Sequence, residues 1–354
     1  MGMSPNNHYH PIVTDGEVLS ESYVPSIVHV REDQVKQLLS CLSPSPQSKR
    51  LTHTWLYGPA GSGKTCVARY VLNELNQRHT LRSVHVNCWN HPTLYSILDK
   101  VAQELRLLGT QIQSTVVKLD RFKKAVGTRP FILVLDEIDC VAPKERNAIL
   151  YRLSSIENLA LVCIAGNRYS LHVLEDRVKS RLNPKLIEFR PYTPEDLATI
   201  CRFRAELGLE PDAWSEGTLR RIAQLAVGDA RCAIQTLGIA SQQAERDVSG
   251  TIENRHVDEA WNQARELKKV YALSALSDHH RLLYHLVEKR GEVLSGELWR
   301  LYLAECKSEG LRPMAIRTFP DYMNRLIREG LITWNRAQLW GRIRVFRIKK
   351  QRRN

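Results

Sequence analysis

The spacing of apolar positions divides the chain into a stretch where short strands alternate with helices, a purely helical stretch, and a shorter mixed one. Thr54–Tyr57 is a brief apolar run followed by glycine. Residues 65–76 repeat apolar side chains at helical spacing (Val67, Ala68, Val71, Leu72, Leu75). Residues 83–86 alternate as a strand does, and 94–108 return to helical period. Residues 131–135 and Leu159–Ala165 are continuous apolar runs of strand length, as expected of parallel strands covered on both faces. Strands alternating with helices predict a doubly wound α/β core up to about Arg190. Residues 191–193 interrupt the pattern, and Thr193 followed by Glu195 and Asp196 signals a helix start. Helical spacing then continues to about Lys269. Asp278 opens another helix, 311–313 turn the chain, a helix runs from about Phe319 to Glu329, and 332–348 read as a basic β-hairpin. The expected division is a flexible N-terminus over 1–22, a core over 23–192, a helical lid over 193–269 and a C-terminal domain over 270–354.

Composition narrows the class. With 354 residues, 43% of them hydrophobic and 25% charged, the chain has material for a sizeable core and is not of disordered or collagen-like type. Its apolar runs are too short to cross a bilayer, and the first thirty residues show no secretory pattern. The eight cysteines are scattered, with no Cys-x-x-Cys pair, as in a reducing compartment, and most stand in apolar surroundings. The expectation is a cytoplasmic, nucleoid-associated protein without membrane partners. The histidines near the start, His8 and His10, read as part of the flexible tail.

Charge is uneven. Of the net +13, the segment from Arg265 onward holds 20 Lys and Arg against 9 Asp and Glu, a net of +11. A basic segment on a near-neutral body is the footprint of a polyanion partner, although a charge run alone reads equally well as a solvated tail.

Gly58, Pro59, Ala60, Gly61, Ser62, Gly63, Lys64 and Thr65 follow a strand and precede a helix, which is the phosphate-loop pattern in its proper setting. The glycines let successive N–H groups turn toward phosphate oxygens, and the helix start adds partial positive charge. Lys64 would neutralise the β- and γ-phosphates of ATP, and Thr65 would coordinate Mg²⁺. By chance the pattern arises in about one chain in a hundred of this length. Residues 131–139 then place Asp136 and Glu137 at the end of a buried strand, where α/β sheets hold ligands. Asp136 would hold the Mg²⁺, through water or through Thr65, and Glu137 would polarise an attacking water. Asp139 reads as a helix cap or surface residue.

A third buried strand ends in Gly166 and Asn167. With the two motifs above, the chain resembles an AAA+ ATPase. The resemblance implies that Asn167 positions the nucleophilic water. It also implies that Arg181, or in reserve Arg177, reaches a neighbouring subunit's γ-phosphate, so that the chain associates with itself or a paralogue. Arg231, in Gly228-Asp229-Ala230-Arg231, would lean from the lid onto the nucleotide. The stretch from Ser26 to Leu38, Pro59 and Ala60 in the loop, and Pro191-Tyr192-Thr193 are similar to archaeal origin-recognition-type replication initiators. So are the segments around Gly291 and from Met314 to Gly330, which resemble that family's winged-helix domain. This resemblance implies that Val24 and Pro25 line the adenine pocket. It also implies that the helix over 92–107 takes the place of an insertion that touches DNA, though few of its residues are basic. The expected fold is thus a parallel-sheet AAA+ core, an all-helical lid and a C-terminal winged helix.

The helix from Phe319 would bury Tyr322, Met323 and Leu326 while presenting Asn324, Arg325 and Arg328, with Arg317 just ahead of it. Such a helix suits the major groove, and Arg342 and Arg344 near the hairpin tip suit phosphate or minor-groove contact. Of Trp334 and Trp340, at least one is expected in the core. The leading expectation is an ATPase that binds double-stranded origin DNA, uses ATP and ADP as a switch, and helps load a replicative helicase. A nucleotide-gated DNA-bound regulator or mobile-element targeting factor is the alternative, and a remodelling motor of clamp-loader type is a third reading.

Overall fold

The structure is a computed structural model that describes residues 11–43, 51–78, 81–107, 113–274, 276–336 and 344–348. The chain divides into two compact units, Met1–Trp261 and Asn262–Asn354.

The first unit is built on five parallel strands: β1 (Thr54–Tyr57), β2 (Arg82–Asn87), β3 (Phe131–Asp136), β4 (Leu159–Ala165) and β5 (Lys185–Glu188), in the order β2-β3-β4-β1-β5. α1 (Glu32–Leu42) precedes β1, and between the strands run α2 (Lys64–Arg78), α3 (Leu94–Glu104), α4 (Thr115–Val126), α5 (Pro143–Leu153), α6 (Tyr169–His172) and α7 (Asp176–Leu182). Every residue of β3 and β4 is buried, because helices cover both faces of the sheet. Period-two alternation sorts the two sides. Ile132 and Val134 face α1 and α2 through Leu38, Val67 and Val71, whereas Leu133 and Leu135 face α3, α4 and α5 through Ile97, Phe122 and Leu150. Each such fully buried side chain contributes roughly 1.5–3 kcal/mol.

The lid follows as α8 (Pro194–Gly208), α9 (Glu216–Ala226), α10 (Ala230–Arg246) and the first part of α11 (Asn254–Ser274). Thr193 caps α8 in a reciprocal capping box with Asp196. Residues 11–22 are not the flexible tail expected over 1–22. Ile12 and Leu19 are buried among the lid helices, and Val13 bridges to Leu209 and donates its N–H to Glu245. The expected boundary at 269/270 falls inside α11. The helix expected over 92–107 ends at Glu104.

The second unit contains α12 (Asp278–Arg290), β6 (Glu292–Leu294), α13 (Ser295–Ser308), α14 (Phe319–Arg328), β7 (Ile332–Arg336) and β8 (Arg344–Ile348). The strands form an antiparallel sheet, β6-β8-β7. Met323 and Leu326 of α14 sit in its core with Leu283, Tyr302 and Phe346, and Pro320 occupies the first turn. Among the described residues no helix is long and apolar enough to cross a membrane.

Candidate nucleotide site

The parallel order of the sheet decides where the chemistry collects. β4 pairs with both β1 and β3, so the segments leaving those three strands emerge side by side at one edge. The loop after β1 carries Gly58 to Thr65. Two of its glycines are required by their surroundings. Gly63 has φ +93°, and a Cβ there would stand 2.3 Å from the Tyr192 hydroxyl. Gly61, at φ +70°, would drive a Cβ into the Asp229 carboxylate at 1.9 Å.

Lys64 folds back over this loop, donating to the carbonyls of Gly58 at 2.8 Å and Pro59 at 2.7 Å. Burial pulls its ammonium down to about 8, against the opposing pull of Asp136 and Asp139. Thr65 Oγ1 donates to Asp136 Oδ2 at 2.9 Å, and His85 Nε2 lies 3.2 Å from the same oxygen. Burial alone would raise the Asp136 carboxyl; hydrogen bonds with His85, Thr65 and the Glu137 N–H outweigh it and hold the group below the ordinary range.

Glu137 adopts the left-handed backbone region at φ +55°, and its N–H reaches Asp136 Oδ1 at 3.0 Å. A non-glycine residue in that region marks a site where the surroundings overrule local preference. Burial and the neighbouring Asp136 push its carboxyl upward, opposed by a hydrogen bond with Asn87. Asn87 in turn accepts the Trp89 N–H through Oδ1 at 2.8 Å, which fixes its amide orientation.

Lys64, Thr65, Asp136, Glu137 and the lid residue Arg231 line one cavity of about 970 Å³. Val24, Pro25, Gly61 and Gly63 line it as well. His29 and Phe203 also line it, with stacked rings whose centroids are 3.4 Å apart. The lid joins the loop directly, since the Ala230 N–H donates to the Gly61 carbonyl at 3.1 Å and Asp229 caps the first turn of α10. Arg31 braces the same corner. Its buried guanidinium donates to Ser62 O and Arg190 O and rests 3.9 Å from the Tyr192 ring centre.

Asn167 and Arg181 do not line this cavity. Asn167 is exposed and accepts the Ser170 N–H at 3.0 Å. Arg181 is exposed on α7 with its guanidinium 4.3 Å from the Tyr151 ring centre, while Arg177 pairs with Glu175. Asp139 accepts the Gly166 N–H. His85 and Asn87 escaped the sequence reading, and Arg31 entered it only as part of the stretch from Ser26 to Leu38. The one sequence signal for His85 and Asn87 was the alternation of β2, whose parallel register sets Asn87 level with Asp136.

In the second unit Arg317 and Asn324 are exposed, Arg325 is half-buried, and Arg344 Nη1 reaches Asn324 Oδ1 at 3.5 Å. Trp334 is 38% exposed and carries Arg344 on its ring, so it is not a core residue. Arg342, Trp340, His8, His10 and the side chain of Arg328 lie outside the described residues.

Comparison with known proteins matches this geometry to a family. Residues 49–174 match the AAA domain model, and 198–262 match the Cdc6 AAA+ ATPase-type lid domain. ORC1-type DNA replication protein 1 of Halobacterium salinarum is 32% identical over 298 residues, covering 82% of this chain and 95% of its own length. The protein of the same name from Sulfurisphaera tokodaii is 30% identical over 91% of this chain and 86% of its own. The Aeropyrum pernix ORC1 protein, solved in complex with DNA, superposes with a TM-score of 0.83 at 26% identity, over 97% of this chain and 95% of that one. With a phosphate loop, a paired acidic strand end and a family-specific lid around one nucleotide cavity, the chain belongs to the ORC1-type DNA replication proteins, a family of AAA+ ATPases.

Proposed function

We propose that the protein is a replication initiator that binds origin DNA, takes its assembly state from bound ATP or ADP, and helps load the replicative helicase. The observation that carries the switch is the shared cavity, in which Lys64 and Glu137 of the core and Arg231 of the lid face the same space. A lid that hydrogen-bonds the phosphate loop through Ala230 moves when the phosphates change, because both ends of that bond belong to the site.

In this reading the loop N–H groups and Lys64 hold the phosphates, and Val24 and Pro25 flank the adenine. Thr65 and Asp136 fit a divalent cation: a hydroxyl and an ionised carboxylate already stand 2.9 Å apart, an oxygen donor set suited to Mg²⁺. The ion, when bound, neutralises phosphate charge. Glu137 takes the proton of the attacking water, Asn167 orients that water, and Arg181 projects toward the nucleotide of a neighbouring copy or paralogue.

The second unit is read as a winged helix. Its α14 would enter the major groove with Arg317, Asn324, Arg325 and Arg328, and the β7–β8 hairpin would bring Arg342 and Arg344 to the phosphates. The likeness to an ORC1 protein solved with DNA and the net +11 of the segment from Arg265 support this assignment. The test is genome-wide occupancy of the tagged protein in its own host, beside an Arg342→Ala/Arg344→Ala control. Sharp peaks where replication starts, lost in the control, are the expected outcome. Peaks confined to promoters or element ends would replace the initiator with a regulator.

A further inference from the structure

Arg146 is the one long cation on the inner side of α5, and it is 5% exposed. Burying a guanidinium costs several kcal/mol unless its donors are satisfied, so its partners say what the fold gains from it. Among the described residues its guanidinium donates to three backbone carbonyls. Nε and Nη2 donate to Val141 O at 3.3 and 2.9 Å, Nη2 also to Asp139 O at 3.2 Å, and Nη1 to Ser170 O at 3.3 Å. Asp139 and Val141 belong to the loop that leaves β3 just after Asp136 and Glu137. Ser170 lies in α6, the short helix that follows β4 just after Asn167.

Asp139 lies in a single 3-10 turn, Ile138–Cys140, and Ser170 in the single turn of α6, and their side-chain bonds converge on the same residues. The buried Ser170 donates its N–H to Asn167 Oδ1 at 3.0 Å and its hydroxyl to Asn167 O at 2.7 Å. Asp139 Oδ2 accepts the Gly166 N–H at 3.0 Å, a second tie between the loops. The Asn167 amide is therefore set by Ser170, and the Ser170 carbonyl is set by Arg146.

We propose that Arg146 is a positioning residue for hydrolysis: a single guanidinium that fixes the Glu137 loop and the Asn167 loop against each other, so that the base and the water-orienting amide keep one spacing. Arg146 itself does not line the nucleotide cavity, so it acts through the two loops and not on the nucleotide. The inference rests on the roles given above to Glu137 and Asn167. An apolar residue would fill the same volume without joining the loops, and a lysine would reach one carbonyl where the planar guanidinium reaches three.

The test uses the full chain and separates binding from turnover. Arg146→Met, Arg146→Lys, Asn167→Ala and the Arg146→Met/Asn167→Ala double variant are compared for fluorescent-ATP affinity, single-turnover hydrolysis with Mg²⁺ and thermal midpoint. Arg146→Met is expected to bind ATP within about twofold of the parent while hydrolysing roughly 10- to 100-fold more slowly, the scale of a misplaced catalytic group. Arg146→Lys should recover part of that loss, and the double variant should be no slower than Asn167→Ala alone. Should Arg146→Met not fold, the Lys variant decides by the same split between affinity and rate. Affinity and rate falling together, or additive losses in the double variant, would overturn the proposal. Parental turnover in Arg146→Met and Arg146→Lys would overturn it while leaving the site reading intact. Parental turnover in Asn167→Ala would overturn both.

Discussion

Thr65 Oγ1 and Asp136 Oδ2 are joined by a 2.9 Å hydrogen bond between residues 71 positions apart, one at the head of α2 and one at the end of β3. Neither oxygen needs to travel far to share a cation, since each already faces the other across the cavity that Lys64 enters. Replacing Thr65 by Val removes one of the two donors and keeps the side-chain volume. The expected result is a Thr65→Val chain whose nucleotide affinity in chelator equals the parent's, but which gains roughly tenfold less from added Mg²⁺. Fluorescent-nucleotide titration with and without Mg²⁺ reads this directly. An unchanged Mg²⁺ dependence would move the cation elsewhere.

Lys64 presents the simplest test of the loop. Its ammonium is bonded to the Gly58 and Pro59 carbonyls, so in the structure it closes the loop that phosphate would enter. Lys64→Ala removes the charge that a phosphate would take over. ATP affinity should fall by about 10- to 100-fold, the equivalent of one or two charge-assisted hydrogen bonds. Equilibrium dialysis with labelled ATP would show it, and intact affinity would remove the phosphate assignment.

Burial and the adjacent Asp136 together raise the Glu137 carboxyl above the ordinary value, which suits the base proposed for it. A base with a raised pKa accepts a proton from water more readily than an ordinary surface carboxylate does. Glu137→Gln keeps the shape and the contact with Asn87 but cannot take the proton. Turnover should drop roughly 100-fold or more while ATP stays bound, seen as triphosphate rather than diphosphate on the recovered protein. Undiminished turnover would leave Glu137 without a role in proton transfer.

What the chain's own pattern revealed depended on how local each cause is. β3 and β4 were legible because their continuous apolar runs have no exposed face to conceal the period. β5 was not, because as an edge strand it buries only Ile187 fully among otherwise polar or half-exposed positions. α4 also went unread. Lysines and an aspartate interrupt its apolar stripe, and one of them, Lys118, is itself buried beside Asp99 and the Tyr95 ring. Residues 11–22 looked like a tail since nothing nearby in sequence tells Ile12 that the lid helices will enclose it. The same division holds within the site. Lys64 and Thr65 lie in one contiguous motif, and Asp136 and Glu137 at the end of one strand. His85, Asn87 and Arg146 acquire meaning only from the register of β2 on β3 and the packing of α5.

His280 offers a handle on the second unit. Its ring stacks on Tyr322 with centroids 4.2 Å apart, and its Nδ1 lies 2.7 Å from Ser277 Oγ. Burial first, then the nearby Arg325 and His279, lower its pKa from 6.5 to about 4. The unfolded chain therefore takes up this proton at a higher pH than the folded one. Stability contributed here is complete above pH 6.5 and declines as pH falls toward about 4. The imidazole resonance missing from a His280→Gln variant should titrate near pH 4, and that variant should lose less thermal stability than the parent between pH 7 and pH 5. A midpoint near 6.5 would mean that the ring is not enclosed in solution.

Arg344 stands where hairpin and helix meet: its guanidinium lies over Trp334 at 4.7 Å and its Nη1 reaches Asn324 on α14 at 3.5 Å. Both partners are neutral, so the charge is oriented by them and not cancelled. A cation held in place by an aromatic face and an amide meets a phosphate with less loss of side-chain freedom than a loose arginine would. If the hairpin contacts the DNA backbone, replacing Arg344 by Ala removes one counterion-releasing contact. The logarithm of the DNA-binding constant should then depend less steeply on the logarithm of salt concentration, by about 1, and affinity should fall similarly for matched and unrelated duplexes. The Arg342→Ala/Arg344→Ala pair should lower the slope by up to ~2. Fluorescence anisotropy over a salt series measures both quantities on the full chain. A loss of affinity limited to one sequence, with the slope intact, would instead make Arg344 a reader of bases, brought to the groove edge by Asn324.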